Sequence, residues 1–126
     1  MKIRKNNISY NREEEYAIFL ELFLSFLVKD MIESRFQSAL IKELKSRFEG
    51  CIIMKNDSSY IQGIPDILML YENKWAALEC KKDAKAKHQP NQDYYVNKMN
   101  NMSYANFICP ENKKEILDEI ERLFKG

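Results

Sequence analysis

At 126 residues the chain has the size of one ordinary domain. Hydrophobic residues make up 45% and charged residues 31%, which supports a packed core and excludes intrinsic disorder. A net charge of +1 excludes a global basic field, so attraction to phosphate has to come from local clusters. Three prolines and three glycines leave no room for a flexible interdomain linker. A single domain over residues 1–126 is expected, with residues 1–30 as a helical extension and 31–126 as the core. Cys51, Cys80 and Cys109 are an odd, widely spaced set inside apolar stretches, which argues against disulfides or a zinc site. The opening MKIRKNNISYNREEE is too polar for a signal peptide. AIFLELFLSFLV is interrupted by Glu21 and shorter than the roughly 20 residues of a membrane span. A soluble protein of the reducing cytoplasm, with no membrane partner, is expected.

Residues 11 to 29 read as a helix, with acids in its first turn where the helix dipole favours them. Its apolar residues cover most of the circumference, implying burial on several sides or at a subunit interface. A second helix runs over residues 31 to 48, where Ile32, Phe36, Leu40, Leu44 and Phe48 recur every four positions and Gly50 supplies a stop. The pattern leaves open whether the two helices join near Asp30. CIIMK (51 to 55) is a strand candidate, followed by the polar loop NDSSYIQG and by Pro65. ILMLY reads as a strand, ENK as a turn and WAALEC as another strand. KDAKAKHQPN is a lysine-bearing loop, NQDYYVNKMNNM a helix, and YANFIC a strand. In the last helix Asn112 and Glu115 have capping-box spacing, with Ile116, Leu117, Ile120, Leu123 and Phe124 on one face.

The three early strands have short connections and should form an antiparallel meander. The third reaches the fourth through a helix, a crossover that makes that pair parallel. The expected fold is α/β (α+β): a small mixed sheet flanked by helices.

Acids interrupt this sheet. Alternate strand residues share a face, so Glu79 and Lys81 point one way and Cys80 the other. A two-residue turn at Glu72 and Asn73 sets Asp66 opposite Glu79, whereas a turn at Asn73 and Lys74 sets it opposite Lys81. Either register gathers all three on one face, and an odd-length loop would not. Adjacent carboxylates resist joint ionisation, and a hard divalent cation relieves that conflict. Such an ion acidifies a bound water, and a nearby lysine orients the water or offsets transition-state charge. Taken singly, Asp after Pro is common in turns and Glu-x-Lys is common on solvated strand faces. The combination points to phosphodiester hydrolysis.

Pro65-Asp66 and Glu79-Cys80-Lys81 resemble the signature of the PD-(D/E)xK nuclease superfamily, whose restriction-endonuclease-like core has the helix, meander, helix, strand order read here. Gly63-Ile64-Pro65-Asp66 followed by Glu79-Cys80-Lys81 is similar to VRR-NUC domains and archaeal-type Holliday-junction resolvases, over roughly residues 32 to 109. The resemblance implies magnesium or manganese held by Asp66, Glu79 and the Cys80 backbone carbonyl, with Lys81 catalytic and no organic cofactor. It also implies a helix glutamate: Glu33 in MIESRFQSALIKEL fits best, as a further catalytic and metal-site acid, and Glu43 is second. A glutamine at the start of the next helix fits Gln92, with Gln89 an alternative. The setting implied is a phage, a mobile element or a repair pathway.

Lys82, Lys85 and Lys87 follow the site, and Lys55 lies on the neighbouring strand. Together with Gln62, and with Ser58 and Ser59 in the same loop, they are candidates for the nucleic-acid backbone. His88 is the single histidine and reads as a surface residue. Trp75, Tyr94 and Tyr95 suit base stacking and core packing equally. The expected protein is a metal-dependent endonuclease on structured or branched DNA, working as a homodimer. Its rivals are a silent nucleic-acid-binding module of the same fold and a helical assembly protein built on residues 12 to 48.

Overall fold

No glycine or proline occurs before Gly50, so nothing interrupts the i to i+4 hydrogen-bond ladder of the first segment. The two helices expected there are one: α1 (Lys2–Arg47) runs unbroken through Asp30. The computed structural model describes residues 2–126, with side chains from residue 11 onward. Because α1 begins at Lys2, the acids Glu13, Glu14 and Glu15 lie in its interior and not in its first turn. Hydrophobic periodicity cannot mark a boundary inside a polar run, so the pattern starts the helix nine residues after Lys2. Gly50, at φ +87°, turns the chain after α1 in a left-handed conformation that glycine adopts without penalty.

The chain divides into two units, Met1–Ile32 and Glu33–Gly126. In the first, nearly every described side chain is exposed, including Phe19 and Phe23, whose rings stack 6.1 Å apart. Among the described residues no helix is long and apolar enough to cross a membrane.

The second unit is built on a four-stranded sheet in the order β1 (Ile52–Lys55), β2 (Ile67–Tyr71), β3 (Lys74–Cys80), β4 (Tyr104–Ile108). The first three form the antiparallel meander, and β3 and β4 are parallel, joined through α2 (Pro90–Met102). The final element is α3 (Lys113–Lys125). This is the α+β architecture expected, a mixed sheet with one parallel pair and a helix preceding it.

Period-two alternation sorts the strands between two apolar layers. Ile67, Met69, Leu78 and Ile108 pack with Leu40, Leu44 and Phe48 of α1 and with Leu117 and Ile120 of α3. On the other face Ala77 and Ala105 meet Val96 of α2, with Leu68, Trp75 and Phe107 around them. The four-residue stripe on α1 is buried from Leu40 onward, Phe36 is half-buried, and Ile32 stays 47% exposed. Leu123, expected on the apolar face of α3, is exposed as well. Arg47 to Asp118 (2.9 Å) and Lys113 to Glu43 (2.8 Å) tie α1 to α3 with ion pairs.

Asn112 does not form the capping box its spacing with Glu115 suggested. Its side chain turns back to the sheet, where Oδ1 accepts the Cys109 N–H (2.9 Å) and Nδ2 donates to the Phe107 carbonyl (3.2 Å). The exit of β4 competes for the same side chain and wins.

Pairing of Tyr71 with Lys74 leaves Glu72 and Asn73 as a two-residue turn, with Glu72 at φ +55°. A Cβ in this left-handed region costs roughly 1–2 kcal/mol, offset in part by the greater chain entropy of an unfolded glycine. Glu72→Gly should therefore stabilise the protein by about 0.5 kcal/mol. A urea midpoint that rises at unchanged slope is the expected result.

Candidate active site

The turn at Glu72 and Asn73 selects one of the two registers open in the sequence. Ile67 pairs with Leu78, so Asp66, one residue upstream, stands opposite Glu79. Two hydrogen bonds hold its backbone: the Asn56 N–H donates to the Asp66 carbonyl (2.9 Å) and Asn56 Nδ2 to the Pro65 carbonyl (2.8 Å). The Asp66 side chain reaches across to β3, where Oδ2 accepts the Cys80 N–H at 2.8 Å. Glu79 and Lys81 follow Ala77 on the face covered by α2, and the Lys81 N–H continues the parallel ladder to the Ile108 carbonyl (2.8 Å). Cys80 belongs to the opposite layer.

Glu79 is 3% exposed and Lys81 9%, unusual burial for charged groups. Burial is the main force raising the carboxyl of Glu79, to about 8; the charge of Asp66 adds to it and Lys81 opposes it. Burial also raises Asp66, against the Cys80 N–H, a hydrogen bond from Glu79 and the charge of Lys81. The two carboxyls thus share a proton, carried by Glu79 and donated to Asp66. The Cys80 thiol is pushed up by its burial and by both acids.

Gln92 joins the acid to the lysine. Its Nε2 donates to Glu79 Oε2 (3.0 Å), while its Oε1 accepts from Lys81 Nζ (2.6 Å) and from the Gln89 N–H (3.0 Å). An amide is one of the few side chains able to donate to a carboxyl and accept from an ammonium at once. Gln92 occupies the first turn of α2, where the Gln89 N–H lacks an intrahelical partner, so one side chain caps the helix and organises the site. Lys81 Nζ also donates to the Lys87 carbonyl (3.1 Å) and lies 4.0 Å from Glu79 Oε2.

Of the two helix glutamates, Glu43 is engaged with Arg47 and Lys113, whereas the charge of Glu33 acts on Glu79 and Cys80. Gln37, one turn beyond Glu33, hydrogen-bonds the Cys80 thiol; spacing of four on one helix face was the available signal. Glu33 was expected as a third acid, but among the described residues no three or more His, Cys, Asp or Glu form a group that could hold a metal ion.

The other candidates are dispersed around this centre. Gln62 lines an open groove of about 730 Å³ with Ser58, Ser59, Gly63 and the α2 start from Gln89 to Gln92. Gly63, at φ +89°, packs so closely on Asn91 that a Cβ there would collide with the Asn91 Cβ and backbone. Lys55 is exposed on the edge strand, Lys82 is half-buried, and Lys85 and Lys87 are exposed. Ser59 is turned inward on its own loop, with N–H and hydroxyl both donating to Asp57. Trp75 packs in the α2 layer, and Tyr94 and Tyr95 meet edge-to-face on α2. His88 is exposed, as read from the sequence; its ring also stacks on Phe107 at 3.7 Å and meets Asp93 at 3.0 Å. It lines a small hollow with Lys81, and one histidine in a loop carries no sequence signal for such a setting.

No protein-family model matches the chain, and no curated protein matches it significantly. Among solved structures, the Holliday junction resolvase Hjc from the archaeal hyperthermophile Archaeoglobus fulgidus is similar over 60% of this chain and 67% of its own. Sequence identity is 18% and the TM-score 0.43, and likeness of that degree assigns no activity.

Glu79 binds its proton more tightly folded than unfolded, so the metal-free protein should lose stability as pH rises from 4.5 to about 8. Glu79→Gln carries no such proton. Its stability relative to wild type should therefore grow across that window, measured by urea unfolding in EDTA near pH 4.5 and near pH 8. A constant difference between the two proteins would contradict the shared-proton pair.

Proposed function

We propose that the protein is a metal-dependent nuclease that hydrolyses phosphodiester bonds in DNA. The observation that carries this reading is the half-buried Asp66 beside the buried Glu79, both raised by burial, with Gln92 linking Glu79 to Lys81. Two carboxyls that share one proton become, once it is lost, a pair of hard oxygen donors of the kind magnesium and manganese accept. Magnesium uses one or two protein carboxylates and fills its shell with water and phosphate, so a pair suffices without a third acid.

In this reading Asp66, Glu79 and the Cys80 carbonyl hold the ion, and Glu33 adds negative charge that favours a cation. When bound, the ion supplies acidification of water and neutralisation of phosphoryl charge. Lys81 aims its ammonium at the attacking water and the phosphoryl oxygens, held by Gln92 and the Lys87 carbonyl. The water gives up a proton to solvent as its oxygen bonds to phosphorus, the bond to the leaving strand breaks, and the departing oxygen takes up a proton from solvent. Lys55, Gln62, Lys82, Lys85 and Lys87 contact the sugar-phosphate backbone, with the groove beside Gln62 receiving the strand.

Nothing in the sequence marks a base-reading helix, so recognition in this reading rests on backbone and shape, and branched DNA is the substrate implied by the motif resemblance. Two cuts on opposite strands need two sites, which a homodimer provides. Three free cysteines suit a reducing intracellular compartment.

The test is cleavage of linear, circular, single-stranded and four-way-junction DNA with magnesium, manganese or EDTA. Wild type should cut with either metal and stop in EDTA. Asp66→Ala and Lys81→Ala should each lose at least about 100-fold in rate. Cleavage that survives EDTA or Asp66→Ala would refute the reading. Binding without cleavage under every metal would favour the silent binding module.

A further inference from the structure

The one histidine of the chain has no part in the reading above, yet its ring is fixed from two sides. His88 lies in the loop between β3 and α2. Phe107 of β4 stacks on it with ring centroids 3.7 Å apart and planes at 13°. Asp93 of α2 stands with Oδ1 3.0 Å from Nδ1. A carboxylate only accepts, so Nδ1 carries its hydrogen toward Asp93 and Nε2 is the nitrogen left for another partner.

Three elements bring this ring beside Lys81. Phe107 is the register partner of Glu79 across the parallel pair of β3 and β4, and the Lys81 ammonium lies 6.0 Å from the centroid of the same Phe107 ring. The residue just before His88 supplies the Lys87 carbonyl to which Lys81 Nζ donates. In the first turn of α2, consecutive side chains hold the two groups, Gln92 accepting from Lys81 and Asp93 from His88. Imidazole and ammonium line one hollow of about 280 Å³, together with Asp83, Asn106 and Asn112.

Hydrolysis needs a proton for the departing oxygen. Lys81 is a poor source: it donates to the Lys87 carbonyl and to Gln92 and lies beside Glu79, so its hydrogens are largely committed. Among the residue types around the hollow, histidine is the one that titrates near neutrality, where proton donation is most efficient.

We propose that His88 is a further catalytic residue, the donor of the proton taken up by the departing oxygen, with Asp93 and Phe107 as its positioning residues. The inference rests on the nuclease reading and names the carrier of the proton drawn there from solvent. His88 in its imidazolium form gives the Nε2 hydrogen to the departing oxygen as the phosphorus–oxygen bond breaks. The N–H electron pair stays on Nε2, and the neutral ring takes a proton back from solvent.

The test uses whichever of the linear, circular, single-stranded and four-way-junction DNAs wild type cuts with manganese. It is made in two versions, one ordinary and one with sulfur in place of the departing bridging oxygen at a linkage that is cut. A thiolate leaves without being protonated, so a proton donor is idle on the sulfur version. His88→Phe keeps a ring to stack on Phe107 and removes both nitrogens. It should lose at least about 100-fold in rate on the ordinary DNA and stay within about threefold of wild type on the sulfur version. His88→Gln, which has a hydrogen-bond donor but no titrating group, should show the same split. Losses that sulfur does not relieve would overturn the role and leave His88 a phosphate contact or a packing residue. No loss in either variant would overturn it outright. Wild type that cuts no DNA would overturn the nuclease reading and this role together.

Discussion

A half-buried carboxyl, Asp66, set against a buried one, Glu79, on one face of a hairpin is the constraint around which the rest of the second unit is arranged. Burial raises both Asp66 and Glu79, and the charge of Asp66 makes ionisation of Glu79 harder still, whereas the hydrogen bond from Glu79 favours the charge on Asp66. The protein meets this with a shared proton, one backbone N–H from Cys80, the buried ammonium of Lys81 and an amide that bonds to both charges. An apolar pair in these positions would pack with less conflict. Such strain between local chemistry and burial is characteristic of sites that act on something else.

The fold supplies the placement. The two-residue turn fixes the register that sets Asp66 against Glu79, and the parallel crossover returns the chain so that the first turn of α2 lies over Lys81. Ala77 and Ala105 keep that face of the sheet low where α2 packs. Gln92 then depends on α2 starting where it does, because its carbonyl oxygen serves the Gln89 N–H and the Lys81 ammonium together. Helix start, sheet register and site electrostatics are a single arrangement.

Much of this was legible in the sequence because period-two alternation is a strong signal. Asp66, Glu79 and Lys81 could be assigned to one face before either hairpin register was known, and β2 was bounded correctly by ILMLY alone. The crossover to β4 followed from connection length. Other features rested on competitions that a pattern does not rank. Helicity of the polar run before Asn11 has no hydrophobic period to announce it. Asn112 had two uses and chose the sheet over the helix, whereas Gln92 served as both cap and site ligand. Glu33 and Glu43 differ only in which way the helix presents them, and ion pairs with Arg47 and Lys113 decided that in the packed structure.

The claim beneath this account is that the acid pair exists to receive a divalent cation. Calorimetric titration of manganese into the metal-free protein, near neutral pH in two buffers of different ionisation enthalpy, addresses it directly. The account predicts one ion per chain, release of about one proton as the pair surrenders it, and loss of binding in Asp66→Asn. Absence of binding, or binding that Asp66→Asn leaves unchanged, would contradict it.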